Sequence, residues 1–324
     1  MILVLASLVF LLVPSVPRWI VDARNGARSW ISVGSFNIQP SEVAKIAYVI
    51  VMAKYLRFRR NHRTPLGLIP PAIITGVPMA LIAMQPDLGT ASLFVPTMFA
   101  MLIAAGAKLR HLALVVLVAV IAAPVIYPVL KPHQQARIRG MIMAMRDEGE
   151  GAQDINFQRY AAVRIAGAGG LTGVSDAKSR SLVRYNGLPE AHTDMVFAVL
   201  VNRFGLLGGA CVILLYLVWI AGALLTAALA KDAFGRLIVI GCTTIIASQA
   251  LINIGMTVGL LPIIGITLPF LSYGGSSLVT VWLMSGLVLN IAMRPVRPPF
   301  RPSFEYDGDE EITGRDVWFS RAGL

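Results

Sequence analysis

Long apolar runs recur along this chain, at about 2–20, 42–56, 67–84, 90–105, 112–130, 195–228, 234–258 and 277–293. Such runs are the length a helix needs to cross ~30 Å of hydrocarbon. With 56% hydrophobic residues, 14% charged residues and a mean hydropathy of +0.71, the chain has more apolar surface than a soluble core can bury. The expected fold is an all-α polytopic membrane protein with about eight transmembrane helices and a long extracytoplasmic loop, 131–193, between the fifth and sixth. The sixth run is too long for one straight span. A break is expected near Gly205, Gly208 and Gly209, with a short helix before it and a full span after it. The first residues lack the basic start and small-residue cleavage site of a signal peptide, so they read as a span.

The formal charge of +11 gives orientation rather than a nucleic-acid partner. Arg57, Arg59, Arg60 and Arg63 share one short loop, Lys108 and Arg110 another, Lys231 and Arg236 a third, and Arg294, Arg297 and Arg301 follow the last run. These loops alternate along the chain, which puts them and both termini in the cytoplasm. Segments 25–40, 85–89, 131–193 and 260–276 then face outward. Residues 1–300 form the membrane domain, and 301–324, polar and acidic over 305–311, reads as a disordered cytoplasmic tail. Cys211 and Cys242 fall inside apolar runs and imply no disulfide framework.

The outward segments carry the chemistry. IQPSEVAKIA (38–47) sets Glu42 and Lys45 three apart on one helical face, where they can pair. MQPDLGT (84–90) is a tight turn bearing Asp87. LPEAHTD (188–194) brings Glu190, His192 and Asp194 to the mouth of an apolar run. NIGMTVGLLPIIGITLPFLSYGGSS (253–277), which includes Ser272, is punctuated by glycine and proline and holds no charge. Together they imply an outward polar cavity. Asp194 before Met195 and Glu42 after Ser41 also suit ordinary helix caps. Lys45, inside an apolar run, needs a partner or a watery cavity. The long loop carries Arg137, Arg139, Arg146, Arg159, Arg164, Lys178, Arg180 and Arg184 against fewer acids, which suits an anionic ligand such as a phosphate.

These motifs, with NGARSW (25–30) and GAGGLTG (167–173), occur in the order and spacing of the bacterial RodA/FtsW family, the SEDS proteins of shape, elongation, division and sporulation. The chain resembles that family over roughly residues 20–295, beginning at what is similar to its third helix, so that the first two family helices have no counterpart in this sequence. The resemblance implies a peptidoglycan glycosyltransferase of the bacterial cytoplasmic membrane that polymerises lipid II on the outer face beside a class B penicillin-binding protein. It implies Asp194 as the general base, with Glu42, Lys45, Asp87, Glu190, His192, Arg137 and Ser272 binding substrate or shaping the cavity. Inverting displacement of a lipid pyrophosphate needs one base and charge neutralisation by Arg, Lys or a divalent cation such as Mg or Mn. The sequence departs from the family at Asn202 and Arg203, where glutamates are usual, at Ser29, usually Arg, and over 174–184, where a GxG and Gln pattern is lost. Two other readings of a charged polytopic bundle are a lipid flippase, although no inverted repeat is visible, and an inactive scaffold for a cell-wall synthase.

Overall fold

The computed structural model describes residues 2–12, 21–24, 27–33, 36–59, 64–85, 87–129, 135, 155–188 and 190–294. Arg137 and the tail 301–324 lie outside them. In chain order, α1 (Ile2–Leu12) leads to strands β1 (Val21–Arg24), β2 (Ala27–Val33) and β3 (Phe36–Ile38). There follow α2 (Pro40–Phe58), α3 (Ile69–Met84), the short α4 (Leu88–Ser92), α5 (Phe94–Ala104) and α6 (Leu109–Ile126). Then come α7 (Ile155–Gly167), α8 (Asp176–Tyr185), α9 (Val196–Leu229), α10 (Ala233–Thr257) and α11 (Gly275–Ala292). A helix overlaps each of the eight expected intervals. Among the described residues four segments, Leu66–Met84, Val196–Leu229, Ala233–Thr257 and Gly275–Ala292, are long and apolar enough to cross a membrane by length and composition.

The bundle core is built on α2. Tyr48, Met52 and Leu56 of α2, Ile82 of α3, Phe94 and Met101 of α5, Leu237 and Ile246 of α10, and Val281 and Met284 of α11 are buried in one cluster. Tyr48 packs its ring on Phe94 at 4.9 Å between centroids and meets Thr75 Oγ1 at 3.0 Å. Thr75 itself donates to the Pro71 carbonyl, so Tyr48 is the donor of the pair. Gly241 lets α10 lie close on α2: a Cβ there would come within 2.7 Å of Val49. The outer faces of α9 and α6 expose Leu206, Leu207, Leu214, Leu215, Leu117 and Val120, apolar surface suited to lipid.

The long sixth run breaks at Gly205, as its glycines predict, with φ 72° and ψ −174°. A Cβ at Gly205 would stand 2.1 Å from the Leu171 carbonyl oxygen. The break frees backbone groups, and the GAGGLTG turn takes them up. Leu206 N donates to Gly170 O at 2.9 Å, Leu207 N to Leu171 O at 3.2 Å, and Asn202 O accepts from Val174 N at 3.0 Å. The glycines of that turn allow two backbones to touch: a Cβ at Gly169 or Gly173 would strike the Val201 or Arg203 carbonyl within 2.3 Å.

Two segments expected as outward loops carry regular structure. Part of 25–40 belongs to a three-stranded antiparallel sheet in the order β1-β2-β3, with Ile31 opposite both Val21 and Ile38. Arg24 pairs with Ala27 across Asn25-Gly26, a dipeptide that favours tight hairpins. Within 131–193 lie α7 and α8. Ala161, Ala162 and Ile165 of α7 fall at helical spacing and bury against Leu188, Ala191, Met195 and Ala198. That second cluster is the floor under the LPEAHTD turn.

Candidate active site

Three backbone starts converge here: that of α2, that of α4, and the turn before α9. Asp87 is the N-cap of α4, its Oδ1 accepting from Thr90 N at 3.0 Å. Its other oxygen accepts from Gln39 Nε2 at 3.0 Å and Ser41 Oγ at 3.4 Å, which ties the start of α2 to the start of α4. Beyond Ser41, Glu42 and Lys45 pair at 2.9 Å with side chains only 5% and 1% exposed. Glu42 caps nothing. The charge of each is cancelled by the other.

Asp194 behaves differently. It precedes α9 as a cap would, yet the N-cap residue is Met195 and no side chain caps that helix. The carboxylate is half-buried and closes on Gly265, whose ideal Cβ would lie 3.3 Å from Asp194 Oδ2. Gly265 has φ +70°, a conformation suited to glycine, and a side chain there would crowd the carboxylate. Burial first, then the negative charges of Glu190 and Asp87, push the Asp194 pKa up to about 6. No ion pair to Asp194 is seen among the described residues, so it is a carboxylate in a negative, partly dry setting. That is how a general base is brought toward neutral pH.

The turn that carries it is strongly held. Glu190 sits at φ +51°, its carbonyl accepting from Thr193 N and Met195 N and its carboxylate from Thr193 Oγ1 at 2.8 Å. The His192 side chain is exposed, while its carbonyl accepts from Tyr273 N at 2.9 Å. Buried Ser272 donates to the Thr193 carbonyl and accepts from Leu268 N. Asn253 donates to the Asp194 carbonyl at 2.8 Å and the Ile266 carbonyl at 2.6 Å. Phe270, at φ +65°, is packed between Trp219 and Trp282, and Tyr216 donates its hydroxyl to the neighbouring Pro269 carbonyl. Gly89 passes so close that a Cβ would meet Ile264 O at 2.6 Å, which brings the Asp87 turn to this same segment.

The structure thus groups Asp194, Glu190, Asp87 and Ser272, sets Glu42 and Lys45 just inside them, and leaves the His192 ring exposed. Sequence reasoning passed over Gln39 and Asn253 as individual residues, though both stand inside quoted motifs. The departures also have roles. Ser29 is buried and donates to Gln85 O at 3.2 Å, and Gln85 in turn donates to Leu8 O. Asn202 is fully buried and donates to Ile165 O at 2.7 Å, which joins α9 to α7. Arg203 pairs with Asp176 at 3.1 Å, and Arg180 pairs with the same acid at 2.8 Å. Asp176, Arg180, Arg184 and Tyr185 line an open cavity of about 670 Å³ on α8. Among the described residues no three His, Cys, Asp or Glu side chains are grouped to hold a metal ion.

The model of the FtsW/RodA/SpoVE family, described as cell cycle protein, matches residues 1–296. The chain belongs to that family. It is 37% identical over 295 residues to stage V sporulation protein E of Bacillus subtilis, covering 90% of this chain and 77% of that one. It is 38% identical over 291 residues to a probable peptidoglycan glycosyltransferase FtsW of Pseudomonas fluorescens, covering 88% and 68%. Among solved structures it is similar to a chain of a peptidoglycan synthase complex described as coordinating polymerization and crosslinking, with TM-score 0.71, 28% identity and coverage of 90% and 79%. It is also similar to the rod shape determining protein RodA of Thermus thermophilus, with TM-score 0.57, 27% identity and coverage of 89% and 74%. The fold described above, a mostly helical polytopic membrane architecture with one small sheet, is similar to those structures over about nine-tenths of the chain.

Proposed function

We propose that this chain is a peptidoglycan glycosyltransferase that polymerises lipid II by inverting transfer, with Asp194 as the general base. The observation that carries the reading is the state of Asp194: a half-buried carboxylate that caps no helix, faces two other acids and is pushed up to about 6. A base with that affinity is mostly ionised at neutral pH, yet takes a proton from an attacking sugar hydroxyl more readily than an ordinary carboxylate would. One base suffices, because a pyrophosphate leaving group departs as a stable anion and needs neutralising charge rather than a proton. Arginines of the outward loop, Arg137 among them, supply that charge. Glu42, Lys45, Asp87, Glu190, His192 and Ser272 bind substrate or shape the cavity. The cavity opens on the outer face of the bacterial cytoplasmic membrane, with both termini in the cytoplasm and a class B penicillin-binding protein as partner. The likeness to a synthase complex that couples polymerization to crosslinking supports that partner.

The test is polymerisation of lipid II by the purified chain in nanodiscs, with and without the partner, beside Asp194→Asn. Polymer from the wild type and none from the folded, lipid II-binding variant is expected. Equal polymer from both would remove Asp194 from the chemistry, and translocation of labelled lipid II without polymer would favour the flippase.

A further inference from the structure

We infer that Asn253 is the positioning residue for Asp194, its buried side-chain amide holding the Asp194 carbonyl and the Ile266 carbonyl together. This rests on the reading of Asp194 as the base. Three consecutive carbonyls of the turn, those of His192, Thr193 and Asp194, are each captured by the later segment, through Tyr273 N, Ser272 Oγ and Asn253 Nδ2. The first two captors stand on irregular backbone. Asn253 stands on α10, one turn before its end at Thr257, and is 0% exposed. It is therefore the rigid mounting of the three.

The amide orientation is fixed by chemistry. Two carbonyl oxygens accept from one group, so that group is the NH₂, and both its protons are used. Asn253 Oδ1 is left without a hydrogen-bond partner in the structure, a cost that an apolar residue would not incur. What that cost secures is a distance. The amide spans the two walls of the site, the turn bearing Asp194 and the segment bearing Gly265 one residue before Ile266, and so keeps Asp194 Oδ2 against Gly265.

The experiment compares Asn253→Ala and Asn253→Ser with wild type in the full chain, measuring kcat, KM for lipid II and the acid limb of the rate. With Ala, kcat falls about tenfold or more while KM stays within about twofold, because the base and not the binding surface has moved. The acid limb moves to lower pH as water reaches the loosened carboxylate. Ser keeps one donor and recovers part of the loss. A folded Ala variant with wild-type kcat, or with reduced kcat and an unmoved acid limb, would overturn the assignment. If Ala does not fold, the Ser profile decides, and a wild-type limb there counts against the clamp. Labelling of Asp194 by a water-soluble carbodiimide as a function of pH reads the same shift without turnover. It separates failure of this inference from failure of the function, which is signalled by Asp194→Asn polymerising as wild type does.

Discussion

Glu42 and Asp194 are both carboxylates near the N-terminal end of a long helix, and they have opposite surroundings. Glu42 lies within α2 and keeps a cation, Lys45, at 2.9 Å in a dry core. Asp194 stands just outside α9, half-buried, with only acids for electrostatic company among the described residues. A buried acid with its own cation is spent on structure, because moving its proton would leave a bare charge in low dielectric. An acid raised by burial and like charge has a proton affinity available for exchange. On the proposed function, the pairing at Glu42 and its lack at Asp194 among the described residues divide support from chemistry.

The strongest break of that contrast is Asp194→Asn. Polymerisation should fall by about 10²–10⁴-fold. At neutral pH the variant should also be more stable, by about 1–3 kcal/mol, since the folded state no longer holds a carboxylate it would prefer protonated. The sign follows from the raised folded-state pKa. Between 3.8 and about 6 the folded form binds the proton more tightly, so stability declines as pH rises through that window, and the gain should vanish below pH ~4. Thermal denaturation at pH 4 and pH 7.5 checks it.

Next in size is Lys45→Met, which strips Glu42 of its partner and should cost about 3–5 kcal/mol of stability. Lys45→Met with Glu42→Leu should recover most of that loss, measured by detergent or thermal melting. Recovery of stability without recovery of polymerisation would show that the pair also serves the cavity.

A titration sharpens the comparison further. Wild-type kcat should rise with pH through about 6, as Asp194 loses its proton, and a limb near the ordinary carboxylate range would deny that its surroundings raise it. The smallest effect is expected of Glu190→Gln, which removes the stronger of the two acidic influences that raise Asp194. The limb should move down by a few tenths of a pH unit, with Thr193 still free to hydrogen-bond the amide.

Much of this was legible in the chain. Glu42 and Lys45, three apart in an apolar run, announced their pairing because helix geometry fixes which neighbours meet. Gly205 announced the break in α9, since a residue without a Cβ is what a positive φ against another backbone requires. The sheet over 21–38 was missed, although Asn25-Gly26 beside β-branched and aromatic residues was its signal. Asn253 gave no signal of its own, because an asparagine in a helix interior says nothing about which carbonyls its amide will reach.

The sequence by itself determined a helical membrane protein and the motifs that bear its acids. Those follow from hydrophobicity and helix periodicity, which act over neighbouring residues. Only the tertiary structure decided that Asp87 is tied to Gln39 and Ser41, that Asp194 caps nothing, and that Asn253 and Ser272 hold its turn from 59 and 79 residues away. A carboxylate's proton affinity depends on burial and charge within a few ångströms, and those neighbours are set by packing rather than by order along the chain.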